Sequence, residues 1–322
     1  MTQFGQYPAP AHVIAHVSDT HFLGGERPLY GKIPTHENLI RALAQLERSG
    51  TNPEAIVFTG DLADLAEPDA YVRLREIVEP AAERMGAQII WVMGNHDERL
   101  QFATELLGEV PVRGAVVPSQ DRVYDINGLR IIALDSTVPG YHHGDLTDDQ
   151  LVWLAGELAA PAAHGTIIAL HHPPIPTPLA LMALLELRGQ DRLGAVIRGT
   201  DVRGILAGHL HYTTHGVFAG VPVSVAAATC YTMDLSAPRN HLSGVDGSQA
   251  FNLVHVYADQ VVHSVVPIGA FPEVTRFTDT FLEQLSAMTA EQRLEAFSRK
   301  MPPRASQAVE VSAPAEVAAQ EA

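Results

Sequence analysis

The sequence predicts an α/β protein, and three observations carry that expectation. Between residues 12 and 107, strand-length apolar runs are each followed by a loop and a helical pattern, the arrangement of parallel strands joined by crossover helices. An Asn127-Gly128 pair between two apolar runs then signals a tight hairpin and a switch to antiparallel pairing. Four late runs, 214–218, 221–226, 250–256 and 261–267, read as antiparallel strands closing a second sheet.

The first strand, His12-Val13-Ile14-Ala15-His16-Val17, ends at Ser18 with Asp19 and His21 just beyond it. Residues two apart on an extended chain point the same way, so this pair could clamp one ion; the plainer alternative is a turn-capping aspartate beside an unrelated histidine. A Gly/Pro-bearing loop over 24–34 leads to a helix with Leu39, Ile40, Leu43, Ala44 and Leu46 at helical spacing, stopping near Gly50. Strand 55–58 runs into Thr59-Gly60-Asp61, where glycine permits a sharp turn that presents the carboxylate at the strand tip. Asp64 either orients a ligand or a bound water, or sits at a helix N-terminus. A helix over 68–84 and a strand over 88–92 then deliver Gly94-Asn95-His96-Asp97.

A helix over 99–107 and a loop over 108–120 precede the hairpin. The loop Gly140-Tyr141-His142-His143-Gly144 offers two histidines that could face a substrate, of which His143 is taken as the contact, with a solvated surface loop as the alternative. Helix 148–159 turns Leu151, Leu154, Ala155 and Leu158 inward. Strand 166–170 ends in His171-His172-Pro173-Pro174, where proline stiffens the turn and only one of the two histidines is expected to face inward. Helical segments over 178–187 and 191–197 lead to strand 202–207, which delivers Gly208-His209-Leu210-His211, a second pair spaced by two. Residues 230–249 form a polar excursion. Beyond 270 the character changes: Phe281, Leu285, Met288, Leu294 and Phe297 give a weak helical stripe over an extension at 271–300, and 301–322 reads as a disordered tail.

Composition limits the function classes. The formal net charge of -16 argues against a nucleic-acid polymer as partner, which calls for a basic stripe, but leaves room for a small anion met by bound cations. No apolar run is long enough to span a bilayer, and residues 1–12 lack a secretory pattern, so a cytoplasmic location is expected. A single cysteine, Cys230, excludes a thiolate cage and an internal disulfide.

Asp19, His21, Asp61, Asn95, His171, His209 and His211 supply carboxylate, amide and imidazole donors, a set suited to manganese, iron or zinc rather than to copper(I). Seven donors exceed one tetrahedral site and fit two ions sharing a carboxylate, the arrangement that serves in-line phosphoryl displacement. In that chemistry one ion activates a bridging water to hydroxide, and an imidazole is needed chiefly for the departing oxygen. His96, beside Asn95, is the candidate.

The ordered blocks Asp-x-His, Gly-Asp, Gly-Asn-His-Asp, His-His and Gly-His-x-His resemble the calcineurin-like metallophosphoesterases. Ser18-Asp19-Thr20-His21, Trp91-Val92-Met93-Gly94-Asn95-His96-Asp97 and Ala228-Thr229-Cys230-Tyr231-Thr232 are similar to the class III cyclic-nucleotide phosphodiesterases within that family. The resemblance implies a four-layer αββα sandwich of two mixed sheets flanked by helices, over a catalytic domain at 1–270. It implies Asp19, His21, Asp61 and His211 on one metal and Asp61, Asn95, His171 and His209 on the other, with Asp61 as the bridge. Asn95, His96, His143 and His209 would meet the substrate, and Asp64 would orient a ligand. The ions implied are iron and manganese, with zinc, cobalt or nickel as alternatives. The implied activity is hydrolysis of 3′,5′-cyclic nucleotides, cyclic AMP foremost, to 5′-monophosphates by a homodimer. A broad phosphodiesterase or phosphomonoesterase, and a non-catalytic scaffold, are the rival readings.

Overall fold

The computed structural model describes residues 3–238 and 241–300; the tail expected over 301–322 lies outside the described residues. Residues 8–271 form one compact unit that holds both sheets. Its strands are β1 His12–Val17, β2 Ala55–Thr59, β3 Gln88–Val92, β4 Arg122–Ile126, β5 Leu129–Ala133, β6 Thr166–Ala169, β7 Val202–Ala207, β8 Thr214–Phe218, β9 Val221–Val225, β10 Thr232–Met233, β11 Gly244–Val245, β12 Ala250–Val256 and β13 Val261–Pro267. Its helices are α1 Thr35–Ser49, α2 Pro68–Met85, α3 Arg99–Gln101 continuing as a π-helical turn Phe102–Leu106, α4 Asp148–Glu157, α5 Ala180–Leu184 and α6 Gln190–Ile197.

Local chemistry sets these boundaries. Gly50 and Gly86 end α1 and α2 in the left-handed conformation, at φ 65° and 67°, which glycine adopts without a Cβ clash. Pro68 opens α2, where its missing N–H leaves no hydrogen bond unmade. Thr147 and Gln150 form a reciprocal capping box at the start of α4.

One sheet runs β13-β12-β1-β2-β3 and the other β4-β5-β6-β7-β9-β8. Leu39, Leu43 and Leu46 of α1 and Tyr71, Leu74 and Val78 of α2 pack with Ala15, Ile56 and Phe58 on the outer face of the first sheet. Leu151 and Leu154 of α4 and Leu193 and Ile197 of α6 pack with Ile168 and Ile205 on the outer face of the second. Ile14, Val57 and Ile90 meet Ile131, Ile167 and Leu206 between the sheets. Helix, sheet, sheet and helix thus form the expected four layers, and both sheets are mixed.

Strand membership corrects one expectation. The late strands do not close a second sheet together: β9 lies parallel to β7 with β8 antiparallel at its side, whereas the β12–β13 hairpin returns to pair antiparallel with β1. Strand β12 satisfies its backbone groups on one edge with β13 and requires a partner on the other. With β2 on one side of β1, the free edge of β1 supplies it.

Residues 3–7 and 272–300 belong to a second unit. There, α7 Asp279–Ala287 and α8 Ala290–Arg293 are capped by Thr278 and Thr289, and Phe281 meets Phe297 edge-on at 5.3 Å. Among the described residues no helix is long and apolar enough to cross a membrane.

Candidate metal centre

The C-terminal tips of β1, β2 and β3 face those of β6 and β7 across the layer between the sheets, so loops 18–22, 60–64, 94–97, 171–174 and 208–212 meet. Every candidate ligand lies in one of them. The chain is not extended there. Asp19, His21, Asp61, His209 and His211 all take positive φ, at 52°, 46°, 49°, 70° and 56°. Strain of about 1–3 kcal/mol per residue is characteristic of such positions at functional sites. The i, i+2 pairs therefore converge through left-handed turns rather than through strand alternation, which corrects the reason given for them above.

Hydrogen bonds hold these turns in place. His21 N donates to Asp61 O at 2.9 Å, and Asp64 N to Phe22 O at 2.9 Å, zipping the first two loops together. His209 N reaches both Asp19 carboxylate oxygens at 3.1 Å, and His96 N reaches Asp61 Oδ1 at 2.9 Å. Close approach is possible because Gly94 has no side chain: a Cβ there would sit 2.0 Å from Asp61 N.

The tautomers of four histidines follow from their acceptors. His21 Nδ1 donates to Asp64 Oδ1 at 2.9 Å, and His211 Nδ1 to Tyr231 O at 3.3 Å. His171 Nδ1 donates to Thr59 O at 2.8 Å, and His209 Nε2 to Leu185 O at 3.1 Å. In each neutral ring the other nitrogen then carries a lone pair. Those lone pairs face each other, His21 Nε2 to His211 Nε2 at 3.1 Å and His171 Nε2 to His209 Nδ1 at 3.1 Å.

Oxygen acceptors aim at the same two places. Asp61 Oδ2 is 3.4 Å from His21 Nε2 and 3.3 Å from His171 Nε2, so it belongs to both. Asp19 Oδ1 lies 3.4 Å from His211 Nε2, and Asn95 Oδ1 3.1 Å from His171 Nε2. One proton between two nitrogens satisfies two of these atoms, whereas a cation satisfies all four. The donor chemistry therefore fits two cations, with Asp61 Oδ2 within reach of both places.

Electrostatics point the same way. Burial alone would raise the Asp61 carboxyl, but His171, His96 and His21 hold it well below the usual carboxylate range. Burial opposes charge on His171, yet Asp61 and Asp19 lift it to about 9; His21 is raised against burial by its bond to Asp64 and by the Asp61 and Asp19 carboxylates. Burial and neighbouring histidines depress His209 to about 3 and hold His211 well below its ordinary value. Each imidazole pair thus joins one ring whose charge is favoured to one whose charge is disfavoured.

The remaining candidates divide. Asp64 lies against His21, and His96, whose Nδ1 donates to Asp64 O at 2.9 Å, sits at the rim with its ring 4.8 Å from that of His21. His143 is not brought in: its ring lies against Tyr141 at 5.2 Å, and His142 takes the place expected of it, 2.9 Å from Asn95 Nδ2 and 5.2 Å from the His96 ring. Nothing local in a His-His pair encodes which neighbour faces in.

His172 is fully buried beside His171, but Ser136 Oγ at 2.8 Å and His142 O at 3.2 Å occupy both its nitrogens, so it buttresses His209 and the 142 loop. Asp97 had no assigned role. Its carboxylate accepts from Leu62 N, Ala63 N, Gly94 N and Tyr71 Oη and ties the second loop to the third. The Asp97-to-Gly94 contact within the motif was the one available signal.

Residues 12–213 match the calcineurin-like phosphoesterase family. The sequence is 55% identical over 272 residues to a cAMP/cGMP dual specificity phosphodiesterase of Mycobacterium tuberculosis, covering 84% of each chain. It is 53% identical over 265 residues to a probable cyclic nucleotide phosphodiesterase of Rhodococcus erythropolis, covering 82% of this chain and 86% of that one. The fold is similar to that of a dimetal phosphatase from Danio rerio, with TM-score 0.57, 15% identity, and coverage of 81% and 97% of the two chains. With its family match spanning more than half its length and these relatives covering most of it, the chain belongs to the calcineurin-like phosphoesterases, a family of dinuclear-metal hydrolases.

Proposed function

We propose that this protein hydrolyses 3′,5′-cyclic nucleotides, with cyclic AMP as the leading substrate, to 5′-monophosphates. The observation that carries the reading is the convergence of two imidazole lone-pair contacts on the single oxygen Asp61 Oδ2. The substrate follows from the relative at 55% identity, whose name specifies cAMP and cGMP. Asp19, His21, Asp61 and His211 would hold one cation and Asp61, Asn95, His171 and His209 the other, with iron and manganese as the proposed pair. Bound there, the two ions supply Lewis acidity toward the phosphate and an acidified water.

The chain's own groups do the rest. Asp64 fixes the His21 ring through Nδ1. Asn95 Nδ2 and the adjacent rings of His96 and His142 face the cavity in which the phosphate would sit. With His96 Nδ1 committed to Asp64 O, Nε2 is the atom left for the departing oxygen. With both ring nitrogens of His96 protonated, a water oxygen bonds to phosphorus opposite O3′ and sheds its proton to solvent, the P–O3′ bond breaks, and O3′ takes the proton of His96 Nε2, which solvent then returns to the ring. The same reading carries a cytoplasmic homodimer without a nucleic-acid polymer as partner, which light scattering and filter binding test.

Two variants and three substrates test the function. Asp61→Ala is expected to lose both ions and all turnover, whereas His96→Ala is expected to turn over about 10²–10⁴-fold more slowly with metal content near two per chain. Empty sites in the second variant would make His96 part of the metal site instead. Hydrolysis of bis(p-nitrophenyl) phosphate or 2′,3′-cyclic AMP without that of 3′,5′-cyclic AMP would replace the substrate with a broader one, and chelator-insensitive inactivity toward all three would leave a scaffold.

A further inference from the structure

The cavity over the metal centre, about 270 Å³, does not end at the histidines. It shares Tyr30, Tyr231 and Met233 with an adjoining chamber of about 520 Å³. The Tyr231 ring lies 4.5 Å from His211 and 5.8 Å from Tyr30, which meets it edge-on, so an aromatic wall leads out of one space into the other. Beyond that wall the chamber is lined by Ile33, Leu242 and Val245, with Lys32 and Asp246 as its charged groups.

The chain builds this chamber deliberately in a physical sense. Tyr30 and Gly31 take φ 53° and 69° at the centre of a turn closed by Lys32 N donating to Leu29 O at 3.1 Å. Leu29 and Ile33 anchor that turn in a buried cluster with Ala228 and Cys230, while Tyr30 itself stays 68% exposed. Opposite it, the β10–β11 ribbon brings Gly244 against the Tyr231 ring so closely that a Cβ would sit 2.6 Å from it, which fixes the plane of that ring.

Phosphate chemistry needs none of these groups. They suit a planar heterocycle: an exposed ring to stack on, a polarisable thioether, aliphatic walls, and one donor and one acceptor at the far end. We infer that this chamber is the base subsite, taking a purine ring against Tyr30 and Met233 with Lys32 and Asp246 presented to the ring edge. The inference rests on the cyclic-nucleotide reading and adds to it the surface that selects the nucleoside.

Calorimetric titration of the manganese-loaded protein with adenosine 5′-monophosphate and with ribose 5-phosphate isolates the contribution of the base. The wild-type protein is expected to bind the nucleotide at least tenfold more tightly. Tyr30→Ala is expected to reduce that ratio about tenfold, and Tyr30→Phe, which keeps the stacking face, to restore most of it. In turnover of cyclic AMP the same loss is expected in KM rather than kcat. A ratio unchanged in Tyr30→Ala, or both ligands weakened equally, would overturn the subsite while leaving the cyclic-nucleotide reading intact. A wild-type protein with no preference for the nucleotide would likewise overturn the subsite, whereas failure of the cyclic-nucleotide reading would show as hydrolysis of bis(p-nitrophenyl) phosphate without that of 3′,5′-cyclic AMP.

Discussion

Replacing Asp97 by alanine probes what holds the metal-binding loops together, because this carboxylate is no candidate ligand yet touches two of them. It is 5% exposed and accepts from Leu62 N at 3.2 Å, Ala63 N at 3.1 Å, Gly94 N at 2.8 Å and Tyr71 Oη at 2.9 Å. Burial and the nearby Asp61 push its carboxyl up to about 6, which still leaves it ionised at neutral pH. Hydrogen bonds to a charged group contribute about 1.5–3 kcal/mol each, and removing one partner of a buried charged network costs about 3–5 kcal/mol in total. Asp97→Ala leaves those donors without an acceptor, so a loss of about 3–5 kcal/mol is expected. Asp97→Asn keeps one acceptor oxygen and should lose about half as much. Urea unfolding followed by circular dichroism, with the midpoint and slope read separately, measures both. A loss below about 1 kcal/mol for the alanine variant would refute the clamp.

Two further outcomes follow from other contacts. Asp64→Asn weakens the anchor of His21 Nδ1 and should lower metal affinity about 10–100-fold without emptying the site at saturating manganese, as measured by competition with a chelating dye. His16 is fully buried, and burial with His263 nearby depresses it to about 3 from an ordinary 6.5. Below pH 6.5 the unfolded chain binds a proton there that the folded chain refuses, so stability is complete above 6.5 and falls toward pH 3 by about 1.4 kcal/mol per unit. His16→Gln, which can still meet Thr59 Oγ1, should remove that slope from urea unfolding at pH 4.5–6.5.

Much of the site could be read from the residues because its ligands sit where strands stop. Asp61, His171 and His209 each follow an apolar run, and a parallel strand tip leaves few directions in which a side chain can point. The α/β class was legible for the same reason, since amphipathic helices must cover strands that are apolar on both faces, whereas the four layers came with the family resemblance. Pairing partners were not: the β12–β13 hairpin carries the same alternation whichever free edge receives it. Backbone sign was also hidden, because aspartate and histidine enter left-handed turns only when surrounding hydrogen bonds hold them there, as Asp61 O does for His21. His143 was preferred to His142, and Tyr30 was missed, because each is placed by its loop rather than by the strand before it. Asp97 was seen as part of a motif, but its partners outside that motif, Tyr71, Ala63 and Leu62, lie 26, 34 and 35 positions away in the chain.

The central claim is that folding gathers two cations around Asp61. Elemental analysis of the purified protein dialysed against manganese, set beside its hydrolysis of cyclic AMP, tests that directly. Two ions per wild-type chain, none above background in Asp61→Ala, and turnover that rises only as the second ion binds are the predicted results. Full turnover with one ion or none per chain would contradict it.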